Sequence, residues 1–141
     1  MEFLQMQPLI EGVLAQIKPG PLQDPALQGL RHIFPDSTIL GALSLINGER
    51  VTVYVLSNGR SNYIVEGSTA TSYTIQLDLN TSMPYMCSCY SFIHGVLSTR
   101  THIFCKHILA VRLAIQMNRL VERRITEEGF ANLIATQMKV S

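Results

Sequence analysis

Charge is sparse in this chain: Asp, Glu, Lys and Arg make up 15% of its 141 residues and balance to a formal +1. A domain that binds nucleic acid on its own is usually clearly basic, so this balance argues against strong autonomous binding. Cysteine is scarce too, and the three present cannot all pair into disulfides. No stretch approaches the ~18 to 20 uninterrupted apolar residues of a membrane-spanning helix, and no basic start with a long apolar run opens the chain. The expectation is an intracellular, soluble protein without membrane association. A GxxxxGK[ST] phosphate loop is missing, so any nucleotide hydrolysis would have to come from a partner. The HxE and PCxxC pattern of zinc deaminases is missing as well.

What is present is concentrated. Cys87 and Cys89 form a CxC, and Cys105 and His107 a CxH fifteen residues on, so every cysteine falls in one pattern. Thiolates with a neutral imidazole are the donor set Zn²⁺ prefers, and a Cys₃His shell closes a tetrahedron with no position left for water or substrate. The predicted cofactor is therefore one structural zinc ion with no catalytic residue around it. The alternatives are three ordinary buried cysteines beside a satisfied histidine, or replacement of His107 by His94 or His102 from the spacer. A cysteine nucleophile with a histidine base is disfavoured, because no cysteine lies outside the motif. His32, on the apolar face of a predicted helix, reads as structural.

With 47% hydrophobic residues the chain can bury a real core and is short for two domains, so one domain over 1–141 is expected, with the metal motif within 85–110. Residues 2–17 carry Phe3, Met6, Ile10, Val13, Leu14 and Ile17 near helical spacing, with the helix proper beginning at Pro8 and stopping at Lys18-Pro19-Gly20-Pro21. Asp24 as N-cap and Pro25 open a second helix, through Leu27, Leu30, Ile33 and Phe34, that ends before Pro35. From Thr38 the pattern suggests strands: Leu43–Ile46, Val51–Leu56, Tyr63–Glu66 and Tyr73–Leu79, with Asn47-Gly48 and Asn58-Gly59 as tight turns. Tyr85–Phe92 would add a strand carrying Cys87 and Cys89, and Ile93–Phe104 would be a loop stapled by the metal. A mostly buried helix is expected from His107 to about Arg123, and Thr126 can cap a last one bearing Phe130, Leu133, Ile134 and Met138, weakened by Gly129. The fold class is α+β: a small antiparallel meander with N-terminal and C-terminal helices and one structural zinc site.

Between His94 and Arg124 lie six basic residues against one acid, Glu122. At 100° per residue Arg112, Gln116, Arg119 and Arg123 share one stripe of the predicted helix. With Lys106 these are candidate contacts to nucleic acid or to an acidic partner surface, or simply a solvated face. Three or four phosphate contacts give weak, salt-dependent binding.

The order CxC, spacer, CxH, with Ala110 completing CxHxxA, resembles the SWIM zinc finger. That resemblance implies zinc on Cys87, Cys89, Cys105 and His107, with Ala110 as a small residue packed under the site. SWIM fingers also occur in transposases and ubiquitin ligases, as small parts of much longer chains. In length and layout the chain resembles the small SWIM-domain subunit of the Shu complex. This second resemblance implies a non-catalytic, nuclear adaptor that forms a heterodimer with a RecA-like recombinase paralogue. It would promote homologous recombination by supporting recombinase filaments, reaching single-stranded DNA mainly through the complex. Alone, such a chain is expected to self-associate; the alternative function is an autonomous nucleic-acid-binding zinc module.

Overall fold

The structure, a computed structural model, describes residues 3–67, 71–77, 85–89, 92–93 and 104–140. Three helices come first, α1 (Phe3–Ala15), α2 (Asp24–Arg31) and α3 (Asp36–Asn47). Four short strands follow, β1 (Val51–Leu56), β2 (Ser61–Glu66), β3 (Ser72–Gln76) and β4 (Met86–Cys87). Helix α4 (Lys106–Met117), strand β5 (Val121–Ile125) and helix α5 (Glu127–Val140) complete the chain. The expected α+β architecture is present, as a mixed five-stranded sheet in the order β4-β3-β2-β1-β5. The meander is antiparallel, whereas β5 lies parallel to β1 with Tyr54 opposite Arg123. No helix among the described residues is long and apolar enough to cross a membrane.

The core lies between one face of the sheet and the helices. Val51, Val65, Ile75 and Cys87 from the strands meet Ile10 and Leu14 of α1, Ile39, Ala42 and Ile46 of α3, and most of α4. Helix α4 is buried at His107, Ile108, Leu109, Ala110, Val111, Leu113, Ala114 and Met117. Its apolar circumference is thus largely spent inside this fold. On the opposite sheet face Phe130 of α5 meets Tyr54, with ring centroids 6.1 Å apart.

Several elements differ from the sequence expectation. Leu43–Ile46 is helical, not a strand: Pro35 and Asp36 open α3, and Ile39, Ala42, Leu45 and Ile46 recur at a helical period against α4. Asn47-Gly48 is accordingly no hairpin. Glu49 takes the left-handed conformation (φ 55°), its N–H bonding Ile46 O while the Arg50 N–H reaches Leu45 O at 3.0 Å, the Schellman way of ending a helix. Asn58-Gly59 does turn β1 into β2, with Gly59 at φ 88°. Helix α1 begins ahead of Pro8, and Gln23, not Asp24, precedes the first residue of α2.

The largest departure is at the end of α4, which stops six residues short of Arg123. Asn118 is left-handed (φ 57°, ψ 48°), its N–H bonds Ile115 O, and the Arg119 N–H reaches back to Ala114 O at 2.9 Å. Asparagine tolerates this conformation better than most residues, and it releases Val121–Ile125 to pair with β1. Thr126 caps α5 as expected, its Oγ1 accepting the Gly129 N–H at 3.0 Å. His32 is exposed just past α2 and has no place in the core. His94, His102, Arg100, Tyr90, Leu79, most of the Ile93–Phe104 loop, and the side chains of Phe3 and Met138 lie outside the described residues.

Candidate metal centre

Two elements bring the four candidate ligands together. Cys87 ends β4, paired with Ile75 of β3, and Cys89 follows after one residue. Cys105 occupies the N-cap of α4 and His107 lies in its first turn. All four are buried, and their donor atoms lie within 4.8 Å of one another. A strand end and a helix start therefore each contribute one pair, as the CxC and CxH spacings suggest.

The donor chemistry fits zinc. Cys89 Sγ accepts the Phe92 N–H at 3.3 Å, and Cys105 Sγ accepts the Ile108 N–H at 3.5 Å. Backbone N–H groups aimed at sulfur, and a helix N-terminus at Cys105, favour thiolate over thiol. Without a cation the three sulfurs compete for negative charge. Hydrogen bonds from Cys105 and then Cys87 pull the Cys89 thiol far down, whereas the Cys87 thiol is driven far up by Cys105, by Cys89 and by burial. At Cys105 the hydrogen bond with Cys87 lowers the pKa, but Cys89 and burial outweigh it and push it up to about 12. A dication bound among the three sulfurs would favour the thiolate form of each.

The histidine supports the same assignment. His107 is 5% exposed and its Nδ1 is buried with no hydrogen-bond partner among the described residues. An orphaned buried polar atom costs about 1 to 3 kcal/mol, which metal coordination in this cluster would offset. Its ring lies 4.2 Å from that of Tyr73, centroid to centroid, which fixes its plane. Ala110, one turn further along α4, is fully buried. Cys87, Cys89, Cys105 and His107 thus fit a single structural zinc site.

The candidate contact residues are not brought into one stripe. Lys106 is exposed at the start of α4, Arg119 is exposed beyond its end, and Arg123 is exposed on β5. Arg112 is occupied: its Nη1 and Nη2 donate to the two carboxylate oxygens of Glu11 at 2.8 and 2.7 Å. Its Nη1 also donates to the Tyr85 hydroxyl at 2.7 Å, and that hydroxyl donates to Glu11 at 2.6 Å. One turn on, Gln116 Nε2 donates to Leu14 O at 2.9 Å, closing the end of α1. The polar stripe of α4 is a seam onto α1, not a solvated face. Sequence reasoning missed Glu11, Tyr85 and Tyr73. The available signal was a lone acid in an otherwise uncharged α1, matched by a lone arginine inside α4.

This seam has a predictable pH dependence. The Arg112 guanidinium, helped by Tyr85 and opposed by burial, holds the Glu11 carboxyl down at about 2. A depressed carboxyl stabilises the fold above its unfolded value of 4.5 and loses that contribution as the pH falls toward 2. Glu11 is 42% exposed and screened by water, so the expected cost of Glu11→Gln is about 1 to 2 kcal/mol. Urea unfolding of both proteins should show this gap from pH 5 upward and a narrowing gap below about 4.5.

Comparison with known proteins agrees with this geometry. Residues 73–116 match the family model of the SWIM zinc finger, an interval that contains all four ligands. The chain is similar to zinc finger SWIM domain-containing protein 7 of Homo sapiens, 28% identical over 118 residues that cover 84% of this chain and 80% of that protein. The protein of the same name in Danio rerio is 29% identical over 132 residues, 94% of this chain and 89% of the other. Its homolog in Dictyostelium discoideum is 36% identical over 100 residues, 69% and 59% of the two chains. No solved structure matches. The matching family is a zinc finger, with no enzymatic family indicated. With the quartet on a strand end and a helix start, residues 73–116 of this chain carry both the sequence match and the ligand geometry of a SWIM zinc finger.

Proposed function

We propose that this chain is a non-catalytic, zinc-stabilised adaptor that pairs with a RecA-like recombinase paralogue and supports recombinase filaments on single-stranded DNA during homologous recombination in the nucleus. The observation that carries the non-catalytic reading is the closed cage. All three cysteines and the one described buried histidine converge on one point, so no thiol or imidazole of the site is left over for chemistry. The resemblance in layout to the small SWIM subunit of the Shu complex, and the similarity to zinc finger SWIM domain-containing protein 7, support the rest. Co-expression with the RecA-like paralogue of the same cell, followed by light scattering and elemental analysis, tests it. A 1:1 heterodimer with one zinc per chain is expected; a folded, zinc-loaded monomer that ignores the paralogue would sink the adaptor.

The second reading, an autonomous nucleic-acid module, is weakened by Arg112, whose guanidinium is committed to Glu11 and 15% exposed. Lys106, Arg119 and Arg123 remain. Three phosphate contacts predict a salt slope of about −2 on single strands, at about −0.7 per neutralised phosphate. Charge reversal at Arg119 and Arg123 separates the readings. Lost DNA affinity with intact pairing belongs to the module, and lost pairing with unchanged DNA affinity belongs to the adaptor; the latter is expected.

A further inference from the structure

The two ligand pairs are joined by fifteen residues, a connection too long to set their spacing by itself. Something else must hold the end of β4 against the start of α4. Tyr85 stands two residues ahead of Cys87, and Phe104 one residue ahead of Cys105. Their rings meet edge to face, with centroids 5.0 Å apart and planes at 77°. Tyr85 also lies under the Arg112 guanidinium, 5.6 Å from the ring centroid, and has Arg112 and Glu11 as hydrogen-bond partners. Arg112 is on the same helix as His107, and Glu11 is the only acid of α1. Tyr85 shares its backbone segment with the CxC pair and Arg112 shares α4 with His107, so the group can act on the metal through the backbone that carries the ligands.

We propose that the Glu11, Arg112 and Tyr85 network is a positioning clasp for the zinc cage, holding the strand-side ligand pair in register with the helix-side pair and making the docking of α1 a condition of metal retention. The bidentate guanidinium fork has a fixed direction, so it sets an angle as well as a distance between α1 and α4. Tyr85 extends that fixed frame to the CxC segment. A cage held open at the right size loses less freedom when the ion enters and releases it more slowly. By linkage the effect is mutual: zinc strengthens the docking of α1, and α1 strengthens the hold on zinc. Residues beyond the ligands commonly change metal affinity 10- to 100-fold, the range expected here.

The inference rests on the zinc assignment and not on the adaptor reading. Its test uses the full zinc-loaded chain and measures zinc transfer to a chromophoric chelator, together with the d–d spectrum after cobalt substitution. Glu11→Gln and Tyr85→Phe are compared with Phe130→Ala, which removes a ring from the opposite face of the sheet. Urea sets all of them to the same unfolding free energy. Zinc release about tenfold faster than wild type is expected for Glu11→Gln, with a smaller increase for Tyr85→Phe and a shifted cobalt spectrum in both. Phe130→Ala should release zinc at the wild-type rate with an unchanged spectrum. The clasp is overturned if all three variants release zinc equally fast at matched stability, or if Glu11→Gln keeps the wild-type rate. A wild-type chain that purifies without metal overturns both the clasp and the zinc assignment.

Discussion

Cys105→Ser is expected to abolish zinc binding and cooperative folding of the domain around α4. The residue has two roles, as a ligand and as the N-cap whose sulfur accepts the Ile108 N–H. Serine is among the best N-caps and preserves the second role, so whatever is lost in this variant belongs to the metal. Cys105→Ala loses both. Capping is worth about 1 kcal/mol, whereas structural zinc contributes about 10 to 16 kcal/mol in apparent terms, against a typical total stability of about 5 to 15 kcal/mol. The two variants should therefore be indistinguishable, both without stoichiometric zinc and both without a sharp thermal transition. Chelation of the wild type should give the same state, because it leaves three competing thiols and a buried imidazole nitrogen without a partner inside the core. A Cys105→Ser protein that melts cooperatively within a few degrees of wild type would show that the cage is not what holds this fold together.

The metal centre was legible because its chemistry is local: ligand type and spacing are written in four residues, and a strand end and a helix start are the two places where such spacings converge. The class of fold was legible as well, from the strand-forming runs of β1, β2 and β3. What escaped was decided by tertiary context. Leu43–Ile46 is as apolar as a strand, and only burial against α4 on a helical period makes it part of α3. The end of α4 hung on one left-handed Asn118, and missing it joined Arg112 to Arg119 and Arg123 as though they shared a helix. With the helix ended there, Arg123 moves to the edge strand and Arg112 turns inward to Glu11, a hundred residues away along the chain. No periodicity argument reaches across that separation; a lone acid in one apolar helix and a lone arginine in another is the trace it leaves.

Leu109→Ala should be the most damaging substitution that leaves the ligand set intact. Leu109 is fully buried two residues after His107, on the helix that lies between the sheet and both α1 and α3. Truncation there removes transfer energy and leaves a cavity bounded on several sides by fixed backbone, for a loss of about 2 to 5 kcal/mol. At a few degrees per kcal/mol for a chain of this size, the melting temperature should fall by about 10 °C in the zinc-loaded state. Zinc should still bind stoichiometrically at low temperature and leave as the fold melts, so metal release and unfolding followed together should trace one transition. Leu40→Ala is the matched control, since Leu40 is 65% exposed on α3 and its truncation should cost no more than about 0.5 kcal/mol. Equal destabilisation by the two would mean that α3 and α4 are packed differently from the arrangement described. A large Leu109 effect beside a silent Leu40 would instead leave Leu40 as apolar surface that folding does not need. Pairing assays with the paralogue could then examine Leu40→Ala without stability confounding the result.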